Sequence, residues 1–306
     1  MTNGSRLWPT MKKHKALYLL MLPGILYYLI FKYAPMYGII IAFQDYSVGR
    51  GILGSKFVGM KHFIEFFYVT PDAWKLIRNT VMLNVYDLLF HFPAPIVLAI
   101  LFHELRISWF KRLVQSVSYM PHFLSTVVIA GIIVTFLSPS SGVINHALVR
   151  AFGIEPILFL GEPGWFRTIY VGSEIWQKIG WGTILYLAAI SGIDPTLYEA
   201  AKMDGANRFQ QVRHITLVGM LPVMIVLFVL TLGNFMETGF QKILLLYNSM
   251  NYETSDVINT FVYRRGILDA DFSFATAVGL FQSVIGLVLV VAANRIVRKY
   301  SETSLW

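Results

Sequence analysis

Three polar side chains recur along one strongly apolar stretch of the sequence. Asn84, Asp87 and His91 are separated by three and four residues, so on a helix they share one face. Ionisable groups at membrane depth are costly and by default indicate a function. This stripe predicts a water-accessible path for a polar solute, or else structural polar contacts inside a helix bundle. Pro93 and Pro95 follow it, where missing amide donors are expected to bend the helix.

A second polar group lies in a later apolar segment. Glu174 and Lys178 are four residues apart in the order that favours an ion pair, with Trp176, Gln177 and Trp181 as neighbours. One interpretation places amide and indole groups along the same solute path. The other is a self-neutralising pair near the outer interface, with the tryptophans in an aromatic belt. The sequence leaves both open.

Motifs for catalysis and nucleotide binding are absent. The sequence contains no G-x-x-x-x-G-K-[ST] loop, no H-E-x-x-H and no G-x-S-x-G. The seven histidines are dispersed without metal-ligand spacing, and there is no cysteine. We therefore predict no catalytic residue, no metal site and no cofactor bound by this chain.

The composition is that of an integral membrane protein. Of 306 residues, 56% are hydrophobic and 14% charged, against about a quarter charged in a soluble domain. A spanning helix needs about 20 mostly apolar residues. An all-α bundle is expected, because backbone groups in lipid must be satisfied internally. Six segments qualify as spans: 16–43, 79–101, 113–137, 168–190, 215–234 and 275–294. The first is overlong, and Lys32 and Pro35 are expected to make its outer third lean or kink.

The basic residues predict the orientation. With both ends inside, the inner segments carry a net charge of +8 and the outer segments carry none. The net charge of the whole chain is also +8, so it is explained by topology and gives no support to nucleic-acid binding. The inner segments are 1–15, 102–112, 191–214 and 295–306, and the outer ones are 44–78, 138–167 and 235–274. Residues 1–15 are interpreted as a retained cytoplasmic tail, not a signal peptide.

Two outer segments are more than simple connections. Residues 57–67 have apolar side chains at helical spacing and predict a helix lying on the membrane surface or one packed on the bundle. The apolar positions are Phe57, Met60, Phe63, Ile64 and Phe67, with Lys61 and Glu65 opposite. Residues 233–248 mix Gly, Asn and Gln with apolar residues. They predict a segment that re-enters the bundle or lines its mouth through Asn234, or a plain loop with a short helix.

The polar stretch between the fourth and fifth predicted spans reads 194-DPTLYEAAKMDGANRFQQVRHITL-217. Asp194 suits an N-cap, Pro195 the first helical position, and Glu199 the positive end of the helix. We expect this helix to run to about Asp204, with Gly205 in the left-handed position that ends it.

A second helix is expected from about Ala206, carrying Arg208 and Arg213 towards the next span. Ala200 and Ala201 keep one side of the first helix small, so that another protein can approach closely. The segment 194–214 is therefore predicted to be a helical elbow projecting into the cytoplasm. A simple loop between two spans could be about four residues long.

At this point the sequence resembles a known family. Glu199-Ala200-Ala201 is followed by Asp204-Gly205-Ala206, with nine residues between Gly205 and Ile215, and then by Leu217. This order is similar to the EAA loop of permease subunits in binding-protein-dependent ABC importers of type I. Residues 19–46 resemble the oligosaccharide and complex-glycan subgroup of the maltose-type sugar permeases. One departure is Val218, where the family usually has proline; Pro222 is expected to supply the bend.

The resemblance implies a domain organisation and a set of partners. Residues 79–294 would form the permease core, preceded by the tail 1–15 and the first span with its outer loop, 16–78, and followed by the tail 295–306. It implies a cytoplasmic ATPase dimer that binds ATP and Mg, a second homologous permease, an extracytoplasmic solute-binding protein, and a multi-pass location in a bacterial cytoplasmic membrane. The residues it assigns to ATPase coupling are Tyr198, Glu199, Ala200, Ala201, Met203, Asp204, Gly205, Ala206, Arg208 and Phe209.

The function predicted on this basis is the import of a sugar or oligosaccharide. An ABC permease for a different solute remains an alternative. An ion-coupled carrier using Asp87–His91 or Glu174–Lys178 is another, and a membrane-embedded enzyme using the Asp87–His91 pair a third.

Overall fold

The elements of the fold are almost all helical. A computed structural model describes residues 14–300, and side chains as far as residue 299. The first helices are α1 (Lys15–Phe43), α2 (Gly51–Gly54), α3 (Lys61–Ile64, extended by a π-helical turn Glu65–Val69), α4 (Ala73–Glu104), α5 (Ser108–Phe123), α6 (Thr126–Phe136) and α7 (Val143–Phe152). They are followed by α8 (Pro163–Ser191), α9 (Pro195–Met203), α10 (Arg208–Gly233), α11 (Phe240–Leu246), α12 (Tyr252–Ser255), α13 (Ile258–Tyr263, extended by Arg264–Leu268) and α14 (Phe272–Tyr300). Two short strands, β1 (Gln44–Asp45) and β2 (Lys56–Phe57), pair antiparallel.

Four of the helices in the described part of the chain, α1, α4, α10 and α14, are long and apolar enough to cross a membrane. A fifth candidate is the bent pair formed by α5 and α6. The predicted spans 16–43, 79–101, 215–234 and 275–294 fall on these four helices to within one residue. Residues 1–13 and 301–306 of the predicted cytoplasmic tails lie outside the described residues.

The predicted span 113–137 is not one continuous helix. The chain bends by 103° between α5 and α6. Pro121 interrupts the regular helix in the last turn before the bend, and Ser125 starts α6 by accepting a hydrogen bond from the amide of Val128 at 3.3 Å. The segment is apolar enough for a span, as predicted, but the sequence did not predict that its helix is broken.

The predicted span 168–190 lies inside α8, a 29-residue helix that is more polar than the other long ones. Its buried residues recur every three or four positions, and α8 packs along the second half of α4. Gly180 fits against the backbone of α5 at Ser118, and Gly182 fits against Pro95. Neighbouring helices bury four polar residues of α8, namely Ser173, Glu174, Gln177 and Thr183.

The first helix changes its type along its length. An α-helical part ends at Tyr28, a π-helical turn covers Leu29–Tyr33, and a tighter 3₁₀ part covers Ala34–Phe43. Lys32 lies in the π-helical turn and Pro35 is the second residue of the 3₁₀ part, where the sequence predicted a disturbance. Only the last part packs on α14, and the α-helical and π-helical parts have no buried residue within this chain.

The segment 57–67 packs on the bundle, which was one of the two structures predicted for it. Phe66 is buried among Phe261, Phe274 and Phe281, with ring centroids 6.1–6.5 Å away. The predicted apolar face divides, however, since Phe57, Met60 and Ile64 point away from the core. Residues 56 and 57 form β2, so the helical period starts only at Lys61 and does not include Phe57. Within the helix, Phe66 is buried and Phe63 and Phe67 are half-buried.

The connection of this segment to β1 is polar. The ammonium of Lys61 donates to Oδ1 of Asp45 at 2.8 Å, and this hydrogen bond holds the pKa of the Asp45 carboxyl below its ordinary value. Both groups are exposed, so the pair contributes little stability.

Candidate functional site

A cavity of about 410 Å³ lies where α4, α8, α10 and the bend between α5 and α6 meet. Its walls are partly apolar, with convergent polar groups, which is typical of a small-molecule site. The lining residues are Asn84, Asp87, His91, Phe92, Pro95, His122, Lys178, Trp181, Gly182, Leu185, Tyr186, Leu227, Thr231, Asn234, Phe235 and Glu237.

Five of the seven residues predicted for the solute path meet at this cavity: Asn84, Asp87, His91, Trp181 and Asn234. A π-helical turn covers Asp87–His91 in the middle of α4, just before the prolines that begin its second half. Inside this turn the Nδ1 atom of His91 lies 3.1 Å from Oδ1 of Asp87. Extra π turns in helices are frequent at functional sites. The stripe on α4 therefore faces a space large enough for a solute.

Trp176 and Gln177 do not line the cavity. Five residues turn an α-helix by about 500°, so Trp176 and Trp181 lie on different sides of α8. Gln177 is buried, and its Nε2 donates to the carbonyl of Leu124 at 3.4 Å. That bond ties α8 to the bend before α6, which is a structural position for Gln177.

His122 is a cavity residue that the sequence gave no reason to select. Its ring stacks on the indole of Trp181 with centroids 4.5 Å apart and planes inclined by 2°. The two residues are far apart in sequence and meet because the last turn of α5 packs on α8. The one local signal was Pro121, which marks the break in the helix.

The ion pair predicted between Glu174 and Lys178 forms, at 2.5 Å, but it is part of a larger group. The other carboxylate oxygen of Glu174 lies 2.5 Å from Nζ of Lys242, whose side chain is 2% exposed. Glu174 is buried and contacts two ammonium groups, so it does not form the self-neutralising pair that was one of the two alternatives. Sequence reasoning missed Lys242 because its partner comes from another element.

Lys242 belongs to the segment 233–248, which the sequence left undecided. The segment contains the short helix α11, whose residues Lys242, Ile243 and Leu246 are buried in the bundle. Asn234 and Glu237, which precede it, line the cavity. The segment therefore combines a packed short helix with a stretch that borders the cavity.

The elbow has the predicted local geometry. Oδ1 of Asp194 accepts from the amide of Thr196 at 2.9 Å, and this bond keeps the pKa of the Asp194 carboxyl below its ordinary value. Pro195 begins α9, and Gly205 has φ +76°, the left-handed conformation predicted for it.

The second helix of the elbow starts two residues later than predicted, at Arg208. Asn207 is its N-cap and exchanges hydrogen bonds with Gln210 in a capping box. The pattern N-x-x-Q carried this signal in the sequence. The cap fixes where the chain turns back towards the bundle.

Few contacts hold the elbow to the rest of the chain. The hydroxyl of Tyr198 hydrogen-bonds with that of Thr216 at 2.9 Å, and Arg208 lies 3.6 Å from Glu104 at the end of α4. No residue of α9 is buried, and the side chains of Met203 and Phe209 are 88% and 72% exposed. Large apolar groups exposed beside charged ones are typical of a protein interaction site.

A bundle of long apolar helices around a polar cavity, with an exposed helical elbow, defines a polytopic membrane transport protein. The chain belongs to the family described as binding-protein-dependent transport system inner membrane component, whose model matches residues 92–302. The EAA loop had predicted this family, and the prediction is confirmed.

Similar proteins match nearly the whole chain. The polygalacturonan/rhamnogalacturonan transport system permease protein YteP of Bacillus subtilis (strain 168) is 47% identical over 96% of this chain and 91% of its own length. Protein LplB of the same organism is 46% identical over 97% and 92%. A permease chain in the crystal structure of a bacterial alginate ABC transporter, in complex with alginate pentasaccharide-bound periplasmic protein, is 43% identical. It covers 98% of this chain and 100% of its own, with a TM-score of 0.90.

Proposed function

We propose that this chain is the permease subunit of an ABC importer that carries acidic oligosaccharides, those with uronate carboxylates. The observation that carries the proposal is the polar cavity between α4, α8 and α10, in a chain that is similar over its whole length to permeases for two such materials. Polygalacturonan and alginate, named for those relatives, are both polymers of uronic acids.

The proposed topology has six spans with both termini in the cytoplasm. To the four apolar helices it adds the bent pair α5–α6 and the covered helix α8. The charge distribution supports this orientation, since the inner segments carry the whole net charge of +8. The elbow 194–214 is then cytoplasmic and residues 235–274 face outwards, in a bacterial cytoplasmic membrane.

The proposed partners follow from the two sides of this arrangement. On the cytoplasmic side, the exposed surface of α9 and the start of α10 enters a groove on an ATPase dimer, which binds ATP and Mg. On the outer side, a solute-binding protein delivers the oligosaccharide. A second homologous permease completes the pathway, so the residues that line this cavity form one side of the pathway.

The proposed coupling residues lie on or beside this cytoplasmic surface. ATP-driven closure of the ATPases would move the elbow, and Tyr198 and Arg208 would pass the displacement to α10 and α4 through Thr216 and Glu104. The remaining residues of this surface are Glu199, Ala200, Ala201, Met203, Asp204, Gly205, Ala206 and Phe209.

The test is ATP hydrolysis by the purified assembly with its binding protein. We expect stimulation by oligogalacturonates or alginate oligosaccharides, and weaker stimulation by neutral oligosaccharides of equal length. Stimulation by neutral glycans alone would contradict the acidic substrate class. Uptake that needs an ion gradient and no ATPase would contradict the importer itself and favour an ion-coupled carrier.

A further inference from the structure

The charges around Glu174 do not cancel. One carboxylate lies between two ammonium groups, at 2.5 Å from each, so the three side chains together carry one surplus positive charge. Lys242 is 2% exposed, and a buried ammonium without its carboxylate would be very costly. Lys242 is therefore committed to Glu174. The surplus falls on Lys178, which is 47% exposed and lines the cavity.

An aromatic pair lies one helical turn away. Trp181 follows Lys178 by three residues, so the two side chains share a face of α8. The ring of His122 stacks on Trp181, and both rings line the cavity. The C–H faces of a pyranose ring are apolar, and burying them against such rings is favourable.

Groups that can accept hydrogen bonds from sugar hydroxyls also line the cavity. Asn84, Asp87 and Glu237 line the same cavity and offer amide and carboxylate oxygens. The Oδ1 atom of Asp87 lies 3.1 Å from Nδ1 of His91. A ligand with several hydroxyl groups and one carboxylate matches this set, because the ammonium of Lys178 can take the carboxylate.

We propose that Lys178, Trp181 and His122 form a subsite for one uronate residue, with its carboxylate on Lys178 and its ring against the Trp181–His122 pair. Glu174 and Lys242 are positioning residues, since they hold Lys178 without touching the sugar. The subsite rests on the proposed function and adds to it which residues of the permease recognise the acidic group.

The test is direct binding to the complete importer in nanodiscs, without binding protein, by saturation-transfer NMR. The probes are trigalacturonate and its methyl ester, which has the same rings and hydroxyls but no charge. Lys178→Gln should weaken trigalacturonate binding roughly 10- to 100-fold and leave the ester unchanged, because a charge-assisted hydrogen bond is lost. Trp181→Ala and His122→Ala should weaken both probes, and His122→Phe should restore them, since it keeps a flat ring.

Two variants serve as matched controls. Trp176→Ala removes an equally exposed tryptophan of the same helix outside the cavity, at 46% against 45% for Trp181, and should change neither affinity. Lys75→Gln removes a lysine that is paired with Asp72 away from the cavity and should also be silent.

Three results would overturn the subsite. The first is an equal loss, or no loss, for both probes in Lys178→Gln. The second is Trp176→Ala acting like Trp181→Ala. The third is an absence of binding of either probe to wild-type importer that still transports oligogalacturonates, which would place recognition elsewhere. An importer that transports no oligosaccharide would refute the proposed function instead.

Discussion

The hydroxyl groups of Tyr198 and Thr216 lie 2.9 Å apart and join the first helix of the elbow to the base of α10. Thr216 is fully buried in a π-helical turn, whereas α9 has no buried residue of its own. The elbow is therefore attached to the bundle at a few points, and this bond is one of them.

Tyr198→Phe should loosen that attachment. The buried Thr216 hydroxyl loses its partner, which costs about 1 kcal/mol, while the ring keeps its contact with His103. We expect a small drop in the melting temperature of the purified importer and a larger drop in ATP hydrolysis stimulated by binding protein. Tyr68→Phe, at a highly exposed tyrosine, is the control. Unchanged stimulation in Tyr198→Phe would show that the bond does not transmit movement.

The buried group around Glu174 gives a double-mutant test. Glu174→Gln leaves the ammonium of Lys242 buried without its counter-ion, and breaking such a pair costs roughly 3–5 kcal/mol. Combining it with Lys242→Met removes the orphaned charge and should recover most of that stability. Thermal unfolding of the three variants measures the coupling. Purely additive losses would mean that the two residues do not depend on each other.

Asp87→Asn tests the polar stripe on α4. The substitution keeps the shape and removes the charge that faces His91 and the cavity. Uptake should fall by more than membrane abundance, with altered preference among oligosaccharides. Asp72→Asn, just before the start of the same helix and outside the cavity, should leave uptake unchanged. Normal uptake by Asp87→Asn at normal abundance would return the stripe to a structural role.

The proposed orientation is open to thiol labelling, because the chain has no cysteine of its own. A cysteine at the exposed Ser141 should react with an impermeant reagent in intact cells, and one at Ser301 should be protected. Ser301 lies outside the described residues, in the predicted inner tail. The reverse pattern would invert the topology.

The sequence predicted best what local patterns determine. Asp194, Pro195 and Gly205 each perform a backbone role that residue type alone specifies, and the stripe at Asn84, Asp87 and His91 follows from helical spacing. It could not predict the partners of Lys242 and His122, which meet Glu174 and Trp181 only after distant segments pack. The bend before α6 was not predicted, because apolar composition indicates that a segment is long enough to cross a membrane but not whether its helix is straight. The polar residues of α8 are explained only by the tertiary structure, which shows which helices pack against them.

The most direct test of the central claim, that the elbow couples this permease to an ATPase, compares two glycines in the same conformation. Gly205 and Gly153 have φ +76° and +65°, each follows a helix, and an added Cβ would meet nothing within 4 Å at either site. Valine at either position should cost about 1 kcal/mol or more through backbone strain alone. The measurement is ATP hydrolysis stimulated by binding protein in the purified importer. The account predicts that Gly205→Val abolishes stimulation or loses the ATPase on purification, while Gly153→Val retains both. Equal behaviour of the two variants, with normal stimulation, would contradict it.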